Sequence, residues 1–445
     1  MQPQNGTWSR PRSIKTIQGS TSDLLVLERG TSSIVHFLDT NGDGVPETRA
    51  TLVQLSGLNH GLVVDYNNQF IYASSSSNVY RWPFNRNNAT IELSTTDPTI
   101  VISNMNDNGN NGYSVGHSTR TLIFDNQSRL YVSVGSVGNV DADSFRSRIR
   151  RFSNVDDESQ FPIDFTTGEV FADGLRNEVG LTFDQYNVLW GVENGADNLR
   201  RSDLGNDIYN DNPAERLHRF PESSAGSHYG YPYCWTEFRL PENVAQGRGS
   251  QWAWPSNSFD FSDEQCRNLY RTPDLAMQAH SAPLGITFYE WQPDSELPPG
   301  CSGAFPQAMD GYAFIAFHGS WNRAIPTGYK VIFVPMTNGQ VSGDAVDLLA
   351  HDPPNAQWED GFRPVDVAFD GCGRLLVSGD GRGSGSKLVR PEYSGSSPDG
   401  GPTDTLFTAF PTQAPTPTSI CVQPLVPWFP FGPLLYTLLL AYNLL

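Results

Sequence analysis

Lysine is nearly absent: only Lys15, Lys330 and Lys387 occur in 445 residues, and the formal net charge is -19. So acidic a chain has no basic stripe with which to neutralise phosphates, so no nucleic-acid partner is expected. Cysteine is sparse as well. Of the five, Cys234, Cys266, Cys301 and Cys372 stand in the globular part without the close paired spacing of a zinc site, so disulfides in an oxidising compartment are expected. Residues 1–5 (MQPQN) show neither the basic n-region nor the apolar h-region of a signal peptide. Uninterrupted hydrophobic runs are also lacking. The apolar stretch 425–445 is broken by Pro427, Pro430 and Pro433, and no Lys or Arg follows Arg390. This composition fits a glycolipid-anchor signal better than a membrane-spanning helix.

What is present is a repeat. Short apolar runs recur at 24–30 (LLVLERG), 70–75 (FIYASS), 130–135 (LYVSVG), 188–195 (VLWGVENG), 312–319 (YAFIAFHG) and 375–380 (LLVSGD). Aspartates that open turns precede most of them, at Asp65, Asp125, Asp184, Asp310 and Asp370, with spacings of 60, 59, 126 and 60 residues. The runs are too short and too rich in β-branched and aromatic residues for helices, and Gly, Asn, Asp and Pro separate them at turn density. A unit of about 60 residues repeated around a ring predicts an all-β, six-bladed β-propeller. The doubled interval, 196–309, reads as a blade elaborated by long inserted loops over a central cleft. From Glu392 the chain turns to Ser, Gly, Pro and Thr, so the expected layout is a propeller over 1–391, a flexible stalk over 392–424 and the apolar tail over 425–445. Sequons at Asn5, Asn88 and Asn126 suggest a secreted glycoprotein.

Residues with chemical potential sit beside the runs. His117, in GYSVGHSTRTLIFD (112–125), precedes a strand, where an imidazole can act as general base or be satisfied by backbone. DGLRNEVG (173–180) offers the planar fork of Arg176 and the amide of Asn177, and the turn at Gly195 exposes carbonyls suited to a hard cation. A surface ion pair and an ordinary turn explain these residues equally well. His280, Trp321, Asn322, Arg323 and Arg363 lie in loops bordering later strands, a pattern that builds a site for a planar, charged ligand. The segment 39–47 (DTNGDGVPE) has the alternating oxygens of a calcium loop, but Ala50 stands where an EF-hand places Glu, so a hairpin turn fits as well.

Taken in order, LLVLERG, LNHG (58–61), GHSTRT (116–121), GLRNEVG (174–180), HSAPLG (280–285) and HGSWNRAIPTGYKV (318–331) resemble the glucose/sorbosone dehydrogenase family, whose cofactor is pyrroloquinoline quinone (PQQ), and most closely its fungal pyranose dehydrogenase branch. The resemblance spans about residues 24–390. It implies a pyranose substrate, PQQ and Ca2+ as cofactors, and a separate electron acceptor, such as a haem or copper redox protein. It implies that His117 takes the hydroxyl proton while hydride passes to the quinone, and that Arg176 and calcium stabilise the resulting charge. Carbonyls of Gly195 and Ala196 match the family's calcium turn, with Asn194 and Asp197 shaping it. Asn177, His280, Trp321, Asn322, Arg323, Arg363 and His60 match cofactor or substrate loops. Where bacterial glucose dehydrogenases place a lysine, this chain has Asn322-Arg323. The implied location is extracellular or at the cell surface. The competing readings are a cell-surface ligand-binding propeller and a calcium-dependent lactonase. The lactonase needs a carboxylate cluster, and Glu178, Glu193 and Asp197 show no convergence in sequence.

Overall fold

The computed structural model describes residues 8–17, 23–41, 48–65, 69–85, 98–106, 116–143, 145–205, 207–255, 259–298, 301–351, 353, 355–393 and 420–424. Their main strands form six antiparallel meanders of four strands, and a short parallel strand adds to the outer edge of the second (Ile163–Asp164) and of the third (Ser227–His228). Blade 1 is Pro11–Thr16, Leu24–Glu28, Ser33–Leu38 and Thr48–Gln54; blade 2 is Leu62–Val64, Phe70–Ser74, Val79–Pro83 and Thr99–Ser103. Blade 3 is Leu122–Phe124, Leu130–Val134, Arg148–Phe152 and Glu169–Asp173; blade 4 is Glu178–Phe183, Leu189–Glu193, Glu215–Phe220 and Leu275–Met277. Blade 5 is Pro283–Phe288, Ala313–Phe317, Lys330–Val334 and Val346–Leu349; blade 6 is Pro364–Phe369, Leu375–Asp380, Ser386–Tyr393 and Ile420–Pro424. The first strands touch in cyclic order, blade 1 meeting blade 6, so the sheet array closes into a six-bladed propeller.

Each apolar run of the sequence is the second strand of its blade. These strands are covered on both faces by neighbouring blades, as at Leu24–Glu28 and Leu130–Val134, so their side chains are apolar nearly without alternation. The aspartates before them act as turn formers. Asp125 accepts from the backbone N–H groups of Gln127 and Arg129, Asp184 from Tyr186 and Val188, and Asp370 from Cys372 and Arg374.

The doubled repeat interval is an insertion in blade 4. Between its third and fourth strands lie a hairpin (Cys234–Thr236 with Gln251–Ala253) and the helix Asp263–Leu269, joined by the disulfide Cys234–Cys266. A second disulfide, Cys301–Cys372, ties blade 5 to the turn of blade 6. One boundary moves. Residues 420–424, assigned by composition to the stalk, pair with Ser386–Tyr393 as the outer strand of blade 6, which leaves that blade's third strand with a partner instead of an open edge. The remainder of 394–445 and the segment 42–47 of the calcium-like loop lie outside the described residues.

Among the described residues, blades 1 and 6 are joined by side-chain contacts and share no strand. Buried Arg12 of blade 1 donates to Asp380 of blade 6 at 2.8 Å, and Asp366 accepts the Ile14 backbone N–H at 2.9 Å. Among the described residues no helix is long and apolar enough to cross a membrane.

Candidate active site at the channel rim

In an antiparallel blade the start of the first strand and the end of the second are neighbours. The candidate catalytic, cofactor and metal residues occupy those two positions: His60, His117, Arg176, Asn177, His280 and Arg363 at starts of first strands, and Asn194, Gly195, Ala196, Trp321, Asn322 and Arg323 at ends of second strands. They therefore share one rim, contributed by blades 2 to 6.

His117 is held by neutral groups. Its Nδ1 lies 2.9 Å from the Ser136 carbonyl and 3.0 Å from the Ser136 Oγ. Burial, followed by the charge of Arg176, pushes its pKa down to about 4, so the ring is neutral at pH 7. Arg120 braces this loop by donating to the His117 carbonyl at 2.8 Å, and Asn59 donates to the Ser118 carbonyl at 3.0 Å. Gly135 is required beneath the ring: a Cβ there would stand 2.5 Å from Asn177 Oδ1 and 2.8 Å from His117 Cβ.

Arg176 is buried among oxygens. It donates to the carbonyls of Gly195 (2.7 Å), Asn194 (3.3 Å) and Asn139 (3.3 Å), to Asn139 Oδ1 (3.2 Å), and pairs with Asp197 at 3.4 Å. Asn177 donates to Asn194 Oδ1 at 3.3 Å, and Asn194 donates to the Pro283 carbonyl at 2.6 Å, linking blades 4 and 5. Asp197 gathers the opposite side, receiving Asn322 Nδ2 at 2.7 Å with His280 Nδ1 at 3.5 Å. Burial alone would raise the Asp197 pKa, but His280, Arg176 and Asn322 outweigh it and hold it below the ordinary carboxylate value. For His280 the balance is reversed in sign: burial opposes its charge, and Asp197 with Glu215 prevails and raises its pKa. Its Nε2 faces the Tyr209 carbonyl at 2.7 Å, so both ring nitrogens meet acceptors and the imidazolium is the form that fits.

Arg323 pairs with Asp211 at 3.0 Å, and Trp321 stands 78% exposed, which rules out a packing role for its ring. Arg363 is anchored on the blade 5 loop through the carbonyls of His318 (3.0 Å) and Gly319 (2.7 Å). His60 is buried on the blade 1 side of the rim with Nδ1 unpartnered, its pKa driven well down by burial and by Arg12. The structure thus joins His117, Arg176, Asn177, Asn194, Gly195, His280 and Asn322 into one bonded network, while His60 and Arg363 stand apart from it.

The sequence reading passed over Ser136, Asn139 and Arg120. Ser136 and Asn139 follow the blade 3 run just as Ala196 and Asp197 follow that of blade 4, so extending each run by four residues would have found them.

Glu178 and Glu193 require a correction: they do converge. With His218 they place ligand-type atoms within 4.8 Å of one another, but fully buried inside blade 4. Arg216 pairs with one oxygen of Glu193, and burial with the neighbouring Glu193 pushes Glu178 toward its protonated form. The cavity of about 320 Å³ at the far ends of the first strands, lined by Thr16, Thr182, Phe288 and Phe369, contains neither histidine nor arginine. The candidate histidines and arginines stand at the other rim.

Comparison with known proteins finds relatives over most of the chain. A curated PQQ-dependent sugar dehydrogenase of Hypocrea jecorina is 32% identical over 395 residues, covering 84% of each chain. A PQQ-dependent pyranose dehydrogenase of Coprinopsis cinerea is 30% identical over 416 residues, covering 86% of this chain and 52% of that protein, so the chain spans about half of its length. The calcium structure of a Trichoderma reesei carbohydrate-active enzyme of family AA12 superposes with a TM-score of 0.71 at 30% identity, covering 87% of this chain and 93% of that one. The family model described as TrAA12-like matches residues 4–386, and with these relatives it establishes that the chain belongs to the TrAA12-like family.

Proposed function

We propose that this protein is a PQQ- and calcium-dependent dehydrogenase that oxidises a hydroxyl of a pyranose. The observation that carries the reading is a neutral, oriented histidine beside a buried guanidinium on a rim otherwise rich in cationic donors.

The residues fit the cofactors. PQQ is planar and carries three carboxylates; Arg323, Arg363 and protonated His280 supply charge for them, Asn177 and Asn194 supply amides, and exposed Trp321 supplies a flat face. Oxygens of Asn139, Asn194, Gly195 and Asp197 already converge on a cation, the Arg176 guanidinium. This hard donor set suits Ca2+, which the carbonyls of Gly195 and Ala196 would hold, the Gly195 carbonyl being the one that Arg176 bonds here. When bound, PQQ accepts the two electrons and the hydrogen leaving the sugar carbon.

The protein's own part is proton transfer and electrostatics. His117 Nε2 takes the hydroxyl proton as the C–O bond becomes a carbonyl, a role for which a neutral imidazole is required. Arg176 and Asn177 stabilise negative charge that develops opposite the base, in a site where burial strengthens each donor. A separate acceptor, a haem or copper redox protein or a small quinone, would take up the electrons. The two disulfides support an extracellular location, where a glycosylated and lipid-anchored form is consistent with the sequons and the tail.

The test is dye reduction by the full chain with PQQ and Ca2+ over a panel of pyranoses. Saturable turnover that needs both additions is expected; turnover without PQQ, or none with it, contradicts the assignment.

A further inference from the structure

Ser136 stands where the base and the guanidinium residue meet. Its backbone N–H donates to the Arg176 carbonyl at 2.8 Å, and its own carbonyl accepts the His117 backbone N–H at 3.0 Å. The same carbonyl and the Ser136 Oγ face His117 Nδ1 at 2.9 and 3.0 Å. The hydroxyl proton is committed to the Gly138 carbonyl at 2.7 Å. Both atoms facing Nδ1 are therefore acceptors, so Nδ1 carries the ring proton and Nε2 keeps the lone pair.

We propose that Ser136 is the positioning residue of the base, fixing the Nδ1–H tautomer of His117 through neutral partners so that the Nε2 lone pair is left to accept the substrate proton. The inference rests on the assignment of His117 as the general base. Among the described residues no carboxylate hydrogen-bonds the His117 ring; the charged groups that bear on it are Arg176, Arg120 and, from blade 4, Asp197. A carboxylate at Nδ1 would stabilise the imidazolium and make the ring a stronger base that fills with protons at higher pH. The Ser136 oxygens orient the ring with a weaker effect of the same sign: the carbonyl contact raises the pKa, and burial with the Arg176 charge outweighs it. Burial first, then the charges of Arg176 and Arg120, keep it unprotonated. The geometry therefore separates two tasks that a carboxylate partner would combine, namely choosing the tautomer and raising the basicity.

The test compares wild type, Ser136→Asp and Ser136→Ala by two measurements. The first is long-range 1H–15N spectroscopy of the cofactor-free full chain, with His117→Gln identifying the signal. Wild type is expected to show a neutral Nδ1–H ring that titrates near pH 4, and Ser136→Asp a ring whose midpoint rises by at least two pH units. Ser136→Ala keeps the carbonyl and is expected to keep the midpoint within one unit while losing several-fold in kcat with little change in sugar KM. The second is the pH profile of kcat/KM with PQQ and Ca2+, whose acid limb is expected to move with the spectroscopic midpoint in Ser136→Asp. An Nε2–H tautomer in wild type, or an unmoved midpoint in Ser136→Asp, overturns the positioning role directly. The expected tautomer without turnover in any form overturns the dehydrogenase reading instead, and with it the catalytic meaning of Ser136.

Discussion

His117 and His280 open blades 3 and 5 at the same rim, yet their surroundings select opposite charges. The His117 Nδ1 faces a carbonyl and a hydroxyl, and burial with Arg176 pushes its pKa down to about 4. His280 faces a carbonyl and the Asp197 carboxylate, and Asp197 with Glu215 raises its pKa despite burial. One partner oxygen, neutral or anionic, decides whether a buried imidazole acts as a base or as a fixed cation. A site that must remove a proton while holding a polyanion needs one of each.

The largest effect expected is at the neutral member. His117→Ala should reduce turnover by roughly 10²–10⁴-fold, measured as dye reduction with bound PQQ. A loss below tenfold would mean that another group takes the proton. Breaking the charged member comes next. Asp197→Asn leaves His280 and Arg176 without their carboxylate and should cost about 3 kcal/mol of stability in denaturant titration, together with a weaker grip on PQQ. If stability is unchanged, His280 is not an imidazolium.

Acid sensitivity sharpens the contrast. The folded pKa of His117 lies below its value in the unfolded chain, so between about pH 4 and 6.5 the unfolded chain binds a proton that the folded chain does not. Stability contributed by His117 is therefore full above 6.5 and falls by about 3 kcal/mol as pH drops through that window. His318, also pushed down to about 4 by burial, adds to the same loss, whereas His280 with its raised pKa contributes in the opposite direction. His117→Gln should flatten the profile between pH 6.5 and 4; an unaltered slope would assign the acid lability to His318 and the other buried histidines. The smallest effect belongs to Asn322→Ala, which removes one neutral donor from Asp197 and keeps the ion pair, for about 1 kcal/mol.

The sequence disclosed the propeller through a physical bias. Second strands such as Ala313–Phe317 are buried on both faces and so read as continuous apolar runs, whereas outer strands such as Thr48–Gln54 alternate weakly with solvent and escape notice. The outer strand of blade 6 escaped for a different reason: it returns at 420–424 after a Ser/Pro/Thr-rich segment whose composition gives no strand signal. His117 and Arg176 were legible because each stands in a loop that opens a blade, one strand before an apolar run. The partners that set their charge states were not. Asp197 and Asn322 lie 125 residues apart, and only the closed ring brings them together.

The most direct test of the account separates holding the cofactor from removing the proton. Full-length wild type and His117→Ala would be titrated with PQQ at saturating Ca2+, then mixed with sugar in a stopped-flow instrument while PQQ absorbance is followed. The account predicts equal PQQ affinity in the two proteins, with rapid sugar-dependent bleaching in wild type alone. Bleaching at the same rate in both, or no PQQ binding by wild type, would contradict it.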